Sequence, residues 1–317
     1  MSIKIDWPAM SSLPDTLTIY WSDTPFTPAT LPGTKAVLDP AAVTYTDTTV
    51  ADRSVRYYMV EAIKAGSNTQ YSQCMIFGNF SKTGPGGNVV LRGDWNAGYM
   101  GFIPVAQMFT ISGLRTALGS PSIGTVPADN TMTGWYKFVY KGKILFFPNN
   151  IFTAQGTATW SQIYNAGLAY GVDGPGAAPF NLVTAGAQPA ITAPVNQKKV
   201  VTIGTDSFLV RLPKNSTLPT DQSVPDRSSF PGCEWWSTMA MMASMAPDAA
   251  DAAVFPTNRW NDISGVPYPL AAVQHFQSVA NFSVHNGNWT GVFPRAINTS
   301  ASGGWISWVP VLELIPA

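Results

Sequence analysis

Two segments late in the chain combine tryptophan with short polar side chains, in stretches that show neither strand nor helix periodicity. Their chemically suggestive residues are Arg259, Trp260, Asp262, Asn286, Asn288 and Trp289. Flat aromatic rings suit the apolar faces of sugars, and short amide and carboxylate groups suit sugar hydroxyls. Tryptophan and arginine are equally enriched where two protein subunits meet. The six residues are therefore candidates for binding a ligand or receptor or for contacting a neighbouring subunit, and the sequence favours neither reading.

Residues for catalysis or metal binding are scarce in this sequence. The two histidines, His275 and His285, lie ten residues apart without a third ligand type nearby, and the two cysteines, Cys74 and Cys233, show no metal-binding spacing. No nucleophile elbow, phosphate-binding loop or evident carboxylate pair is found. We therefore expect no catalytic residue, no metal and no cofactor.

Composition narrows the function classes. Charged residues make up only 11% of the 317 residues, and the net charge is zero. Such a chain has no electrostatic footprint for nucleic acid or for an anionic membrane. No apolar run is long enough for a membrane helix, and the first residues lack the apolar core of a signal peptide, so we expect synthesis in a cytoplasm without membrane insertion. The low charge also suggests that partner subunits cover much of the surface.

The pattern of apolar residues predicts mainly strands with a few helices, and so a mainly β fold. The predicted strands are 17–21, 54–63, the two arms of a hairpin over 134–148, 198–204, 207–212 and 305–315. The predicted helices are 114–118, 159–170 with Thr157 or Thr159 as its cap, and 235–245. The glycine-rich stretch within 78–95 is typical of a linker.

Three phrases resemble the C-type-lectin-like fold in its formylglycine-generating-enzyme variety. They are Phe208–Pro213, Gly232–Trp236 and the ending Gly304–Leu314, and the last is similar to the final strand of such domains in bacteriophage virion proteins. The resemblance implies an α+β domain over 134–317 that displays long loops. The enzyme's cysteines near the end of the domain are absent here, so its catalysis is not expected. Within these phrases we interpret Arg211 and Glu234 as a polar pair that braces a helix start rather than as ligand contacts, and Trp235, Trp236, Trp305 and Trp308 as core anchors.

The amino-terminal part resembles the last strands of a fibronectin type III-like sandwich. The resemblance lies in 45–48, 56–63 and 66–72, where a tyrosine-bearing strand is followed by a Gly/Ser/Asn hairpin. It implies a β-sandwich over 1–80, and a linker and connecting segment over 81–133 would then join it to the second domain.

Together the two resemblances imply a structural component of a tailed-bacteriophage particle, a tail-fibre, baseplate or collar appendage located in the virion. The expected partners are other virion proteins, further copies of the chain in a trimer or higher ring, and a host cell-surface glycan or protein. A non-adhesive decoration or assembly protein is the alternative, and a surface-polysaccharide depolymerase is a third reading that lacks its carboxylate pair.

Overall fold

The computed structural model describes residues 2–154, 157–176, 193–214, 216–217, 232–240, 270–278, 281–286, 294–298 and 306–316. The chain is mainly β, as the sequence predicts, and it contains several antiparallel sheets with few helices. Among the described residues, no helix is long and apolar enough to cross a membrane.

The first part of the chain, the amino-terminal module, consists of short strands. They are β1 (Ile3–Asp6), β2 (Thr16–Ser22), β3 (Lys35–Leu38), β4 (Thr44–Asp47), β5 (Ser54–Ile63), β6 (Gln70–Tyr71) and β7 (Met75–Asn79). Strands β1 and β4 form one sheet, and the other strands form a second sheet around β2 and β5. Apolar side chains from both sheets share one core, which includes Ile5, Ile19 and Tyr58. The predicted strand 54–63 is confirmed to the residue.

The remaining strands and helices follow in chain order. They are β8 (Arg92–Gly93), β9 (Ala97–Pro104), α1 (Ile111–Ala117), β10 (Gly134–Tyr140), β11 (Lys143–Pro148), α2 (Trp160–Asn165), β12 (Lys199–Ile203), β13 (Asp206–Arg211), a π-helix at Trp236–Ala240, β14 (Leu270–Ser278), β15 (Asn281–Asn286), β16 (Pro294–Asn298), β17 (Ile306–Ser307) and β18 (Val311–Leu314). Single 3₁₀ turns lie at Pro28–Thr30, Val105–Gln107 and Asp129–Thr131.

A large sheet dominates this second part. In the described residues its strand order is β12-β13-β18-β11-β10-β9-β8, and the strand pairs are antiparallel. Every residue of β10 is buried, because one face of the sheet packs under α1, α2 and residues 84–87, and the other packs under the segment around Trp235. Strand β9 belongs to this sheet, although it lies within the range that the sequence assigns to a connecting segment. The predicted domain boundaries, between residues 80 and 81 and between residues 133 and 134, remain predictions.

The two ends of the large sheet differ. The tight connections β8–β9 (94–96), β10–β11 (141–142) and β12–β13 (204–205) lie together at one end, which we call the turn end. The long connections 105–133, 149–198 and 212–310 leave from the opposite end. We call residues 212–310 the insertion, because they separate the paired strands β13 and β18.

The hairpin predicted over 134–148 is confirmed, and its turn explains its register. Tyr140 pairs with Lys143, so the turn consists of Lys141 and Gly142 alone. Both have positive φ, 44° and 78°, which is the backbone of a type I′ turn and matches the twist of antiparallel strands.

The helices differ in length from the sequence predictions. Thr159 is the cap of α2 and forms a capping box with Gln162, but the helix ends at Asn165 rather than near 170. Gly167 adopts φ 76° there, and the amide of Leu168 donates back to the Ile163 carbonyl, which closes the helix. Helix α1 begins at Ile111, earlier than predicted, because the Thr110 side chain accepts a hydrogen bond from the Gly113 amide.

The carboxyl-terminal helix and strand also differ from the sequence predictions. Residues 241–245 of the predicted helix 235–245 lie outside the described residues. The predicted final strand 305–315 divides into β17 and β18, with Pro310 just before β18.

Candidate functional site

The predicted binding residues lie in the insertion. Arg259, Trp260, Asp262, Asn288 and Trp289 fall outside the described residues. Asn286 is the last residue of β15, where its backbone pairs with Leu270 of β14. The structure therefore locates the strands that lead into the candidate segments.

These strands form a four-stranded sheet in the order β16-β15-β14-β17. Leu270, the first residue of β14, pairs with Asn286 and also with Ile306, the first residue of β17. His285 pairs with Pro294, the first residue of β16. The starts of β14, β16 and β17 and the end of β15 therefore lie at one end of this sheet. In the sequence, Arg259, Trp260 and Asp262 precede β14, and Asn288 and Trp289 follow β15.

The two histidines lie on neighbouring strands of this sheet, His275 on β14 and His285 on β15, where His285 pairs with Ala271. Within the part of the chain that the structure describes, no group of three or more His, Cys, Asp or Glu residues could hold a metal ion.

The insertion is attached to the large sheet at adjacent positions. It begins after Arg211 and ends before Val311, and these two residues are backbone partners. On its return it passes through Trp308, whose amide donates to Thr153 and whose carbonyl accepts from the Phe152 amide. The insertion is thus held at its base on the end of the sheet opposite the turn end.

A buried ion-pair network braces this base. The Arg211 guanidinium, only 2% exposed, donates from Nη1 and Nη2 to the two oxygens of Glu234 at 2.8 and 2.6 Å. Its Nε donates to Glu313 at 2.9 Å, and the other Glu313 oxygen binds the Lys143 ammonium at 2.8 Å. The predicted brace between Arg211 and Glu234 is confirmed, and the sequence did not identify Glu313 and Lys143 as members.

Glu234 fixes the start of the helical segment in two ways. Its carboxylate accepts a hydrogen bond from the Lys214 amide at 3.1 Å, and its carbonyl accepts one from the Thr238 hydroxyl at 2.7 Å. Both ends of the chain between Lys214 and Glu234 are therefore held at the same carboxylate.

The network also keeps its charges. Burial alone would lower the pKa of Arg211, but the carboxylates of Glu234 and Glu313 raise it above its ordinary value. Burial would raise the pKa of Glu313, whereas Arg211 and Lys143 lower it to about 2. Arg211 and Glu313 are therefore both charged near neutral pH, which suits a structural ion pair.

The tryptophans next to this network belong to the core. Trp235 and Trp308 are buried, as predicted; Trp235 packs edge-on against Phe147, and Trp308 packs edge-on against Phe152. Trp305 and the side chain of Trp236 lie outside the described residues.

Comparison with known proteins adds no relative: no family model matches the chain, and no match is found among the curated proteins or the solved structures.

Proposed function

We propose that the chain is a structural component of a bacteriophage particle, a tail-fibre, baseplate or collar appendage that displays a receptor-binding domain. The observation that supports the proposal is that the two ends of the large sheet bear different parts of the chain. The amino-terminal module contacts the turn end, and the insertion leaves from the opposite end. A protein that is mounted at one end and binds at the other requires this arrangement.

The insertion has the features of a display region. Its sheet brings the start of β14 and the end of β15 together, and in the sequence the two tryptophans of the candidate site lie before β14 and after β15. The base is rigid, because Arg211 and Glu234 form a bidentate buried pair. Sites of recognition are commonly loops on a rigid scaffold. We therefore propose that Arg259, Trp260, Asp262, Asn286, Asn288 and Trp289 bind a host cell-surface glycan or protein.

Two other functions would use the same architecture. A non-adhesive decoration or assembly protein would direct the same loops to a neighbouring virion subunit, since aromatic and arginine side chains suit protein interfaces equally well. A depolymerase would need two carboxylates flanking a glycosidic bond, about 5 to 10 Å apart.

Particle composition tests the first part of the proposal. Mass spectrometry of purified virions should detect the chain at a copy number set by particle symmetry. Its absence from virions would reject a structural role, whatever its loops bind.

Adsorption tests the second part. Trp260→Ala and Trp289→Ala should each weaken attachment to host cells about ten- to a hundredfold, since a stacked tryptophan at a contact is worth roughly 1–3 kcal/mol. The control is Val37→Ala, which trims a side chain 70% exposed on the amino-terminal module. Normal adsorption by both tryptophan variants in fully assembled particles would reject the adhesive role, and failed assembly with a stable fold would favour the subunit-interface function.

A further inference from the structure

The glycine-rich segment that the sequence presents as a linker is packed into the structure. Gly84 and Gly86 have φ values of 72° and 82°, which favour glycine. A Cβ atom at Gly84 would lie 3.3 Å from the Leu314 side chain, and one at Gly86 would collide with Ile103. Residues 82–87, which we call the strap, therefore lie directly on one face of the large sheet.

A buried lysine holds the strap. Lys137, in the middle of β10, is 0% exposed, and its ammonium donates to the carbonyls of Pro85 at 3.0 Å and Gly87 at 2.6 Å. Its Nζ also lies 5.8 Å from the centre of the Phe146 ring. A lysine side chain is rarely buried unless its hydrogen bonds are satisfied, and here strap carbonyls satisfy two of them.

Two contacts anchor the chain where the amino-terminal module passes into the strap. Before it, Phe80 stacks on Trp95 of the β8–β9 turn, with ring centres 5.4 Å apart. At its start, Lys82 binds Asp206 and the Thr205 carbonyl of the β12–β13 region, both at 2.8 Å.

The central turn makes a third contact with the module. A Cβ atom at Gly142 would lie 2.6 Å from the Arg53 carbonyl oxygen, so the β10–β11 turn touches the module backbone. Contacts at three separated turns resist both rotation and bending.

We propose that the strap, locked by Lys137, fixes the amino-terminal module at a single orientation on the turn end, so that the module and the large sheet move as one body. The junction is a rigid coupling rather than a hinge. A force or a change of angle at the module is then transmitted through β10, β11 and β18 to the base of the insertion.

Distance measurements between spin labels test this coupling. Cysteines replace Val37 on the module and Val200 on β12, which are 70% and 43% exposed, in a Cys74→Ala background; Cys233 is buried and stays unlabelled. The labelled protein is mixed with an excess of unlabelled protein, so that distances within one copy are measured, and we expect one narrow distance distribution. Lys137→Met, which keeps the side-chain volume but removes the donors, should broaden it at least twofold, and Lys64→Met on the module surface should leave it unchanged.

Gly86→Ala provides a second route, because a side chain at φ 82° and against Ile103 strains the strap and leaves Lys137 in place. A broad distribution in the parent protein, or a narrow one in a folded Lys137→Met or Gly86→Ala protein, would overturn the proposal.

Chemical acylation of the parent protein gives a test that does not depend on the folding of any variant. An amine-reactive ester at pH 8.5 should modify Lys64 and spare Lys137, with at least a hundredfold difference in rate measured by peptide mass spectrometry. Equal modification of both lysines in the folded protein would show that the strap is open and would overturn the proposal.

Discussion

At the scale of single residues, the Arg211–Glu234 pair makes the sharpest prediction. Arg211→Met leaves Glu234 buried without its cation, while Glu313 keeps Lys143. Removing one partner of a buried pair usually costs about 3–5 kcal/mol in free energy of unfolding. The matched control is Lys198→Met, which breaks the exposed pair with Asp173 and should cost less than about 1 kcal/mol. Urea unfolding compares the two, and equal losses would contradict a bracing role.

Lys137 predicts a dependence of stability on pH. Burial lowers its pKa to about 8, opposed by the charge of Asp206, which Lys82 already binds. In the unfolded chain the pKa of Lys137 has its ordinary value of 10.5. The unfolded chain therefore binds more protons than the folded protein between pH 8 and 10.5. Stability from this residue must therefore rise with pH in that window, by up to about 3 kcal/mol. The neutral amine still has two N–H groups for the carbonyls of Pro85 and Gly87.

The measurement is urea unfolding of the parent protein and Lys137→Met from pH 7 to 9, which stays below the ordinary tyrosine pKa of about 10. The difference in free energy of unfolding should move in favour of the parent as the pH rises. Subtracting the variant removes the contributions of other groups, such as the two cysteines. A difference that is flat, or that falls with pH, would show that Lys137 is not a buried charge.

At the scale of elements, sequence patterns predicted what is local. The β10–β11 hairpin, the Thr159 cap and strand β5 depend on residues adjacent in sequence, so turn chemistry and periodicity find them. Contacts between residues that are distant in sequence leave no such local pattern. The alternation Tyr136-Lys137-Phe138 is typical of a strand with an outward lysine, and only the return of residues 84–87 buries that lysine.

The candidate site was predictable to the same degree. The brace was visible because Arg211 and Glu234 lie in two recognisable phrases that follow one another, but Glu313 lies about a hundred residues from Arg211 in sequence and joins them only through sheet pairing. The chain has only three glutamates, and Glu61 is also buried, between the hydroxyls of Tyr20 and Tyr71. That scarcity is a signal that each of them has a structural partner.

The turn between β10 and β11 can be tested as an element that contacts the module. Gly142→Ala adds a Cβ atom at a residue with positive φ and against the Arg53 carbonyl. Gly204→Ala in the β12–β13 turn also adds a Cβ atom at a residue with positive φ, but no other atom lies within 4 Å of it. Both should lose about 1 kcal/mol of stability from backbone strain, and Gly142→Ala should lose at least about 1 kcal/mol more. Thermal unfolding and hydrogen exchange at the Arg53 amide measure this. Equal effects of the two substitutions would mean that the turn does not support the module.

At the scale of the whole molecule, the surface predicts self-association. Only 11% of the residues are charged. Large apolar side chains are more than half exposed on both parts of the chain, among them Leu13, Val89 and Leu91. Oligomers with closed symmetry cover such surfaces, so we expect a trimer or a higher ring.

Light scattering at micromolar concentration should give a mass at least three times the 34.0 kDa of one chain. Because the proposed contacts are apolar, 1 M sodium chloride should leave that mass unchanged, whereas an assembly held by surface charges would dissociate. The rigid coupling within each copy would give the ring a uniform geometry, because copies with fixed modules would present their insertions at one common angle. A stable 34.0 kDa particle under both salt conditions would contradict the assembly and leave each copy to bind alone.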